Sequence, residues 1–236
     1  MGINKYYGGK HRYAKKMLPV IEKYSNGHKM YIEPFCGWGS VLSQVVDADI
    51  FDEHVASDAN ESIVMFLHET SRGSFIPPED VPKNIFVQLK NDQSPSALQA
   101  FAAICYSFEG EWFGHYAVNG DPKHFATRDQ FPKKIMKRMA KLKDVEFKHA
   151  YYQEYADRED CFFYLDPPYK SRTRKYKHKN KIPIPFDTDE FWEFARRLSE
   201  KNTVIVSEYE APDDFEEVWK HPGNRGGKER MFKLKV

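Results

Sequence analysis

The stretch CFFYLDPPY, residues 161 to 169, decides the fold. It joins a run of five apolar residues directly to an acid and two prolines. A continuous apolar run of this length is typical of a parallel strand that is covered on both faces. The prolines remove two backbone N–H donors and fix φ at both positions, so the chain must turn there at a stiff corner. We therefore predict a buried parallel strand whose carboxyl end carries Asp166.

Strand and helix patterns alternate on both sides of this segment. Apolar strand patterns cover residues 29–35, 50–57, 144–152 and 202–207, and helical spacing covers 41–46, 61–70 and 187–202. The final patterns, at 215–219 and 228–236, predict an antiparallel hairpin. This alternation predicts an α/β fold with a mostly parallel sheet and right-handed crossovers, which binds ligands beyond the carboxyl ends of its strands.

Residues 71–143 differ in character from the rest of the chain. Helical patterns at 79–90, 94–108 and 132–142 surround a segment rich in Gly, Asn and Asp. We interpret 71–143 as an insert, and 1–70 together with 144–236 as one core domain.

Composition excludes several classes of protein. The 236 residues contain 36 Lys and Arg against 35 Asp and Glu, so net charge indicates no polyanionic partner and only the distribution of charge can do so. The three cysteines match neither a zinc site nor a disulfide framework, which predicts a reducing, intracellular setting. No apolar stretch approaches the roughly 18 residues of a membrane span. The sequence contains no histidine pair at metal-ligand spacing and no Gly-x-Ser-x-Gly elbow, so it gives no support for zinc or hydrolytic chemistry.

The segment EPFCGWGS, residues 33–40, follows the first predicted strand. Gly37 and Gly39 would let the backbone pass close to a small molecule. Leu42 occupies the place of the third glycine of a dinucleotide fingerprint, and no phosphate-loop Lys-Ser/Thr follows, so a dehydrogenase or NTPase is disfavoured. A plain tight turn into a helix is the alternative.

Acidic residues follow two of the predicted strands. Asp58 ends the second strand, where it would either accept hydrogen bonds from ribose hydroxyls or cap the next helix. Asp166 and the Pro167 carbonyl could accept both hydrogens of one exocyclic amine, while Tyr169 offers a ring on which a base could stack. The alternative for residues 166–169 is a simple exit from a strand.

The most basic stretch lies directly downstream, at residues 170–181, and holds seven Lys or Arg. Because it adjoins the proposed catalytic corner, we predict phosphate contacts rather than a solvated loop. Lys134, Arg138 and Lys141 are at helical spacing, and they form either an ordinary exposed helix face or a second contact surface. The predicted DNA-binding residues are Lys170, Arg172, Arg174, Lys175, Lys177, Arg128 and Lys134.

Four motifs in this order resemble the Dam-type (D12 class) N6-adenine-specific DNA methyltransferases, of phage or restriction-modification type. They are KYYGGK at 5–10, YIEPF with the glycine turn from 31, SDAN at 57–60 and DPPY at 166–169. The resemblance implies a Rossmann-like class I methyltransferase sheet, S-adenosylmethionine as cofactor, and residues 71–143 as a target-recognition insert. It further implies two sets of site residues. The cofactor set is Tyr6, Lys10, Glu33, Pro34, Phe35, Gly37, Gly39, Asp58 and Asp166, and the catalytic set is Asp166, Pro167, Pro168 and Tyr169.

The chain departs from the family pattern at two places. His149 to Tyr152 stand where an acidic residue is usual, and Tyr106-Ser107-Phe108 stand in place of an Asn-Arg pair. The target sequence and any partner nuclease are therefore left unassigned. We expect a cytoplasmic monomer, in a bacterial or phage-infected cell, that methylates double-stranded DNA without a metal or a membrane. The alternatives are N4-cytosine methylation, N6-adenine methylation of RNA, and a non-catalytic DNA-binding relative.

Overall fold

A computed structural model of the chain describes residues 8–116, 131–169, 186–222 and 228–235. Its centre is a seven-stranded sheet in the order β3-β2-β1-β4-β5-β7-β6. The strands are β1 (Met30–Glu33), β2 (Glu53–Asp58), β3 (Glu146–His149), β4 (Cys161–Leu165), β5 (Thr203–Ser207), β6 (Phe215–Pro222) and β7 (Lys228–Leu234).

The directions of the strands confirm the predicted α/β fold. β1 pairs in parallel with β2 and β4, and β2–β3 and β4–β5 are parallel as well. β7 runs antiparallel to both β5 and β6, which confirms the carboxyl-terminal hairpin. β4 and β5 are buried at every position, as their apolar runs predict for strands covered on both faces.

Helices cover both faces of the sheet. They are α1 (Ala14–Tyr24), α2 (Leu42–Ala48), α3 (Glu61–Arg72), α4 (Lys83–Asn91), α5 (Ala97–Cys105), α6 (Phe131–Met139) and α7 (Thr188–Ser199). Residues of α1 to α6 belong to one hydrophobic cluster, and α7 belongs to a second cluster. Asp187 caps α7, because its side chain accepts from the N–H groups of Asp189 and Glu190.

Two elements differ from the predicted pattern. α1 has no counterpart among the predicted elements, because Pro19 interrupts the helical pattern. The helix still forms, because its inner face buries Met17 and Ile21. The predicted strand at 144–152 is shorter, and Tyr152–Tyr155 form a 3-10 turn instead.

The insert contributes helices at the three predicted places. Its side chains share the hydrophobic cluster of the core, and the ring of Phe101 in α5 lies parallel to that of Phe66 in α3, with 6.4 Å between centroids. The recognition role of 71–143 stays a prediction. In the described parts of the chain, no helix has the length and apolar character needed to cross a bilayer.

Candidate active site

The predicted motifs meet along one edge of the sheet, where β1, β2 and β4 end. A cleft opens there between residues that lie far apart in the sequence. Its described lining includes Gly8, Gly9, Lys10, Glu33, Pro34, Phe35, Gly37, Trp38, Ser40, Asp58, Tyr151, Tyr152, Gln153, Asp166, Pro167, Pro168, Tyr169, Phe186, Asp187, Glu190 and Glu229. The parallel arrangement of the strands explains the convergence, because their carboxyl ends share an edge.

A buried ion pair lies at one end of the cleft. Lys10 Nζ donates to Asp166 Oδ1 at 2.7 Å and lies 3.8 Å from Glu229 Oε2. Burial by itself would lower the pKa of Lys10, but the Asp166 and Glu229 carboxylates raise it above its usual value. Burial raises the pKa of Asp166, and the charge and hydrogen bond of Lys10 oppose that rise. This pair fixes the acidic side chain of the Asp-Pro-Pro-Tyr corner.

Tyr169 forms part of the wall beside this pair. It is 6% exposed, and its hydroxyl donates to Glu229 Oε2 at 3.2 Å. Lys10 Nζ lies 4.6 Å from the centroid of its ring, and Tyr209 packs edge-on at 4.6 Å between centroids. Glu229 and Tyr209 were not predicted from the sequence, because neither belongs to a recognisable motif.

Glu33 is buried behind the ion pair at the end of β1. It is 2% exposed, and Tyr31 donates to its Oε2 at 2.7 Å. Burial raises the pKa of Glu33 to about 8, even though the Tyr31 hydrogen bond and the Lys10 charge act in the opposite direction. The cleft therefore contains a carboxyl group that a cationic ligand would help to ionise.

The glycine turn, residues 36–39, forms the floor between β1 and α2. Gly37 has φ of 47° and Gly39 has φ of 65°, values in the left-handed region that favours glycine. Gly37 lines the cleft. A Cβ at Gly39 would instead face the core, 3.6 Å from Leu67 and 3.7 Å from Leu142. Gly39 therefore contributes to the shape of the turn on the side that faces the hydrophobic core.

Asp58 holds the glycine turn from the end of β2. Its Oδ2 accepts from Gly37 N and its Oδ1 from Asn60 N, both at 2.9 Å. Asp58 is not the N-cap of α3, which is Asn60. The Asp58 side chain accepts a hydrogen bond from the backbone N–H of that residue. Burial raises the pKa of Asp58 to about 6, although these two hydrogen bonds lower it. Asp58 also lines the cleft, so contact with a ribose stays a prediction.

Aromatic rings form the other end of the cleft. Phe35 stacks on Tyr152 with 5.4 Å between centroids, and Phe186 meets Phe35 edge-on at 6.1 Å. Beside them, Gln153 Nε2 donates to Glu190 Oε1 at 3.1 Å. Sequence reasoning missed Gln153, Phe186, Asp187 and Glu190. The available signal was that Gln153 directly follows His149 to Tyr152, the segment where an acidic residue is usual in the family.

Several predicted contact residues lie outside the described part of the chain. These are Tyr6, Arg128, Lys170, Arg172, Arg174, Lys175 and Lys177. Lys134 is exposed on α6. Of its two neighbours at helical spacing, Arg138 is only partly exposed and donates to the Trp38 carbonyl at 2.6 Å, while Lys141 is exposed and pairs with Asp47 at 2.7 Å. The three residues therefore do not form one exposed basic face.

The fold and the cleft define a class of protein. A parallel sheet of this order, with an antiparallel β7 inserted beside β5 and a glycine turn after β1, is that of the Rossmann-like methyltransferases. Within this class, the chain belongs to the D12 class N6 adenine-specific DNA methyltransferases, whose family model matches residues 6–103 and 100–232. It is accordingly an S-adenosylmethionine-dependent DNA methyltransferase acting on adenine N6.

Individual relatives are distant. The chain is 25% identical over 239 residues to the type II methyltransferase M.MjaIII of Methanocaldococcus jannaschii, with 86% of this chain and 81% of that protein covered. Among solved structures, Escherichia coli yhhF, which is assigned as a methyltransferase, has a TM-score of 0.40 at 7% identity, covering 95% and 87% of the two chains. The methyltransferase domain of bacterial CtHen1 has a TM-score of 0.38 at 12% identity, covering 96% and 98%.

Proposed function

We propose that Asp166 and Pro167 hold the N6 amine of an adenine flipped out of double-stranded DNA, and that this chain methylates it with S-adenosylmethionine bound between the glycine turn and the aromatic end of the cleft. The observation that carries the proposal is the buried Lys10–Asp166 pair at the Asp-Pro-Pro-Tyr corner, with 2.7 Å between Nζ and Oδ1. It orients the Asp166 carboxylate, which lines the same cleft as Gly37 of the glycine turn.

The donor set of the cleft suits this cofactor. S-adenosylmethionine carries an ammonium group and a positively charged sulfur, and both favour carboxylates nearby. The raised pKa values of Glu33 and Asp58, about 8 and about 6, indicate carboxyl groups whose burial is only partly offset by the protein. The aromatic end, formed by Phe35, Tyr152 and Phe186, suits a planar adenine ring.

The cofactor supplies an activated methyl group. The chain's own residues supply hydrogen-bond acceptors for the N6 amine and hold it in position. An ionised carboxylate only accepts hydrogen bonds, so Asp166 can take one N6 hydrogen while the Pro167 carbonyl takes the other. This arrangement concentrates lone-pair density on the nitrogen and directs it at the methyl group. Lys10 keeps Asp166 oriented. Tyr169 would support the base, as base–aromatic stacking does in other nucleic-acid enzymes.

The same proposal gives roles to the insert and to the basic residues outside the cleft. Residues 71–143 would read the target, and the exposed Lys134 together with the basic stretch from Lys170 to Lys177 would contact phosphates. A monomer in the cytoplasm would suffice for this activity. The target sequence is not assigned.

The experiment is methyl transfer by an Asp166→Ala variant, measured with labelled S-adenosylmethionine and genomic DNA. We expect turnover to fall by at least about 10²- to 10³-fold, the usual loss when one preorganised hydrogen-bonding group is removed from an active site. Cofactor affinity, measured by calorimetry, should change far less. Asp144→Ala is the matched control, because Asp144 is 88% exposed and outside the cleft lining.

Three outcomes would contradict the proposal. Near-normal turnover in Asp166→Ala would remove the catalytic role of the corner. Nucleoside analysis that finds N4-methylcytosine, or methylation of RNA alone, would reassign the substrate. DNA binding by the wild-type protein without binding of S-adenosylmethionine would indicate a non-catalytic relative.

A further inference from the structure

Arg138 is a partly buried cation that the proposed mechanism does not use. It lies on the inner side of α6, and its Nη2 donates to the Trp38 carbonyl at 2.6 Å. Burial lowers the pKa of Arg138 to about 10, so the side chain stays charged at neutral pH.

Three hydrogen bonds hold the glycine turn, and two of them come from outside it. Gly37 N donates to Asp58 at the end of β2, at 2.9 Å, and Gly39 N donates to the Cys36 carbonyl within the turn, at 2.8 Å. Arg138 fixes the Trp38 carbonyl, which lies between the two glycines. Because glycine has the least restricted backbone of any residue, the peptide groups between Gly37 and Gly39 need an external restraint.

The Trp38 side chain completes this restraint. Its indole is 1% exposed and stacks on Phe66 of α3, with 4.3 Å between centroids and 7° between planes. The indole restrains the side-chain direction of residue 38, and Arg138 restrains its carbonyl. Trp38 also lines the cleft, so any rotation of this residue changes the surface on which a ligand rests.

We propose that Arg138 is a positioning residue for the proposed cofactor site: it holds the Trp38 carbonyl and so keeps the glycine turn in the shape that binds S-adenosylmethionine. The inference rests on the proposed cofactor site. It also ties the cleft to α6, the helix that carries the exposed Lys134 on its outer side. Arg138 acts through the turn and contacts no reacting atom.

The test compares Arg138→Met and Arg138→Lys with the wild-type protein, using S-adenosylmethionine and the unreactive product S-adenosylhomocysteine as probes in calorimetry. Arg138→Met keeps an unbranched apolar stem and removes the charged donor, and we expect Kd to rise about tenfold, equivalent to roughly 1.4 kcal/mol. Arg138→Lys keeps a charged donor on a shorter reach, so Kd should rise by about threefold. Turnover at saturating cofactor should stay within about twofold for both, while KM for the cofactor rises.

Lys143→Met is the control, because Lys143 is 68% exposed and pairs with the neighbouring Asp144. A purely structural Arg138 would lower Tm and leave the Kd of the folded protein unchanged, which would overturn the proposal. If Arg138→Met does not fold, wild-type affinity in Arg138→Lys would overturn it as well. Failure of the wild-type protein to bind either probe would instead contradict the proposed function.

Discussion

At the scale of single residues, Glu33 is a buried carboxylic acid that lines the cleft, where its ionisation costs more free energy than in water. Burial raises its pKa from 4.5 to about 8, against the opposing effects of Tyr31 and Lys10. A carboxyl group with a raised native pKa binds its proton more tightly in the folded state than in the unfolded state. Its contribution to stability is therefore complete below pH 4.5 and is lost as the pH rises through 8.

We predict that the protein without cofactor loses stability between pH 5 and pH 8, and that Glu33→Gln removes much of this loss. A tenfold difference in proton affinity between the folded and unfolded states corresponds to about 1.4 kcal/mol, so the whole effect is on the order of a few kcal/mol. Urea unfolding across this pH range measures it. Glu22→Gln, at an exposed position of α1, is the control. Equal pH slopes for Glu33→Gln and the wild-type protein would show that Glu33 is not the group responsible.

At the scale of elements, the glycine turn shows how a loop of four residues is shaped by the elements around it. Gly37 has φ of 47° and lines the cleft, whereas Gly73 ends α3 with φ of 77° and has open space around its Cβ position. Both glycines have a positive φ, and they differ in what surrounds them. They form a matched pair for separating backbone strain from ligand binding.

We predict that Gly37→Ala and Gly73→Ala each destabilise the fold by about 1–2 kcal/mol, the cost of left-handed geometry for a residue with a Cβ. Only Gly37→Ala should also weaken cofactor binding, because the turn must move to relieve the strain. Denaturant unfolding and calorimetry with S-adenosylmethionine measure the two effects. An unchanged Kd in Gly37→Ala, despite the loss of stability, would show that the turn does not contact the ligand.

At the scale of the whole molecule, the balanced charge of the chain gives no general attraction for DNA, so local cations must supply it. Lys and Arg exceed Asp and Glu by one residue, yet seven of these cations lie in twelve residues beside the Asp-Pro-Pro-Tyr corner. Binding through phosphates releases counterions and therefore weakens as salt rises. The salt dependence of DNA binding therefore tests the proposed phosphate contacts.

We predict that Lys134→Ala weakens binding to DNA of any sequence and lowers the slope of log K against log salt by about one. Lys201→Ala should leave the slope unchanged, since Lys201 pairs with Glu159 before β5, at the opposite edge of the sheet. Fluorescence anisotropy with a labelled duplex, at several salt concentrations, measures both slopes. Equal slopes in all three proteins would place the DNA contacts elsewhere.

Much of the fold could be read from local patterns in the sequence. The apolar runs at 161–165 and 202–207 predict buried strands, and β4 and β5 are buried throughout. The alternation of strands and helices predicts a parallel sheet, so the motifs that follow its strands were expected at one edge. Glu33, Asp58 and Asp166 do line one cleft there. α1 could not be read in this way, because its internal proline normally ends a helix.

The sequence by itself determined the type of fold, the order of the motifs and the family, because hydrophobic periodicity and short motifs are local properties of the chain. Only the tertiary structure decided the partners within the site. Lys10 meets Asp166 across 156 positions, Arg138 meets Trp38 across 100, and Tyr169 meets Glu229 across 60. Such pairs depend on the lateral order of the strands and on how the helices pack over the sheet. No local pattern encodes either arrangement, because each results from burying the whole apolar surface at once.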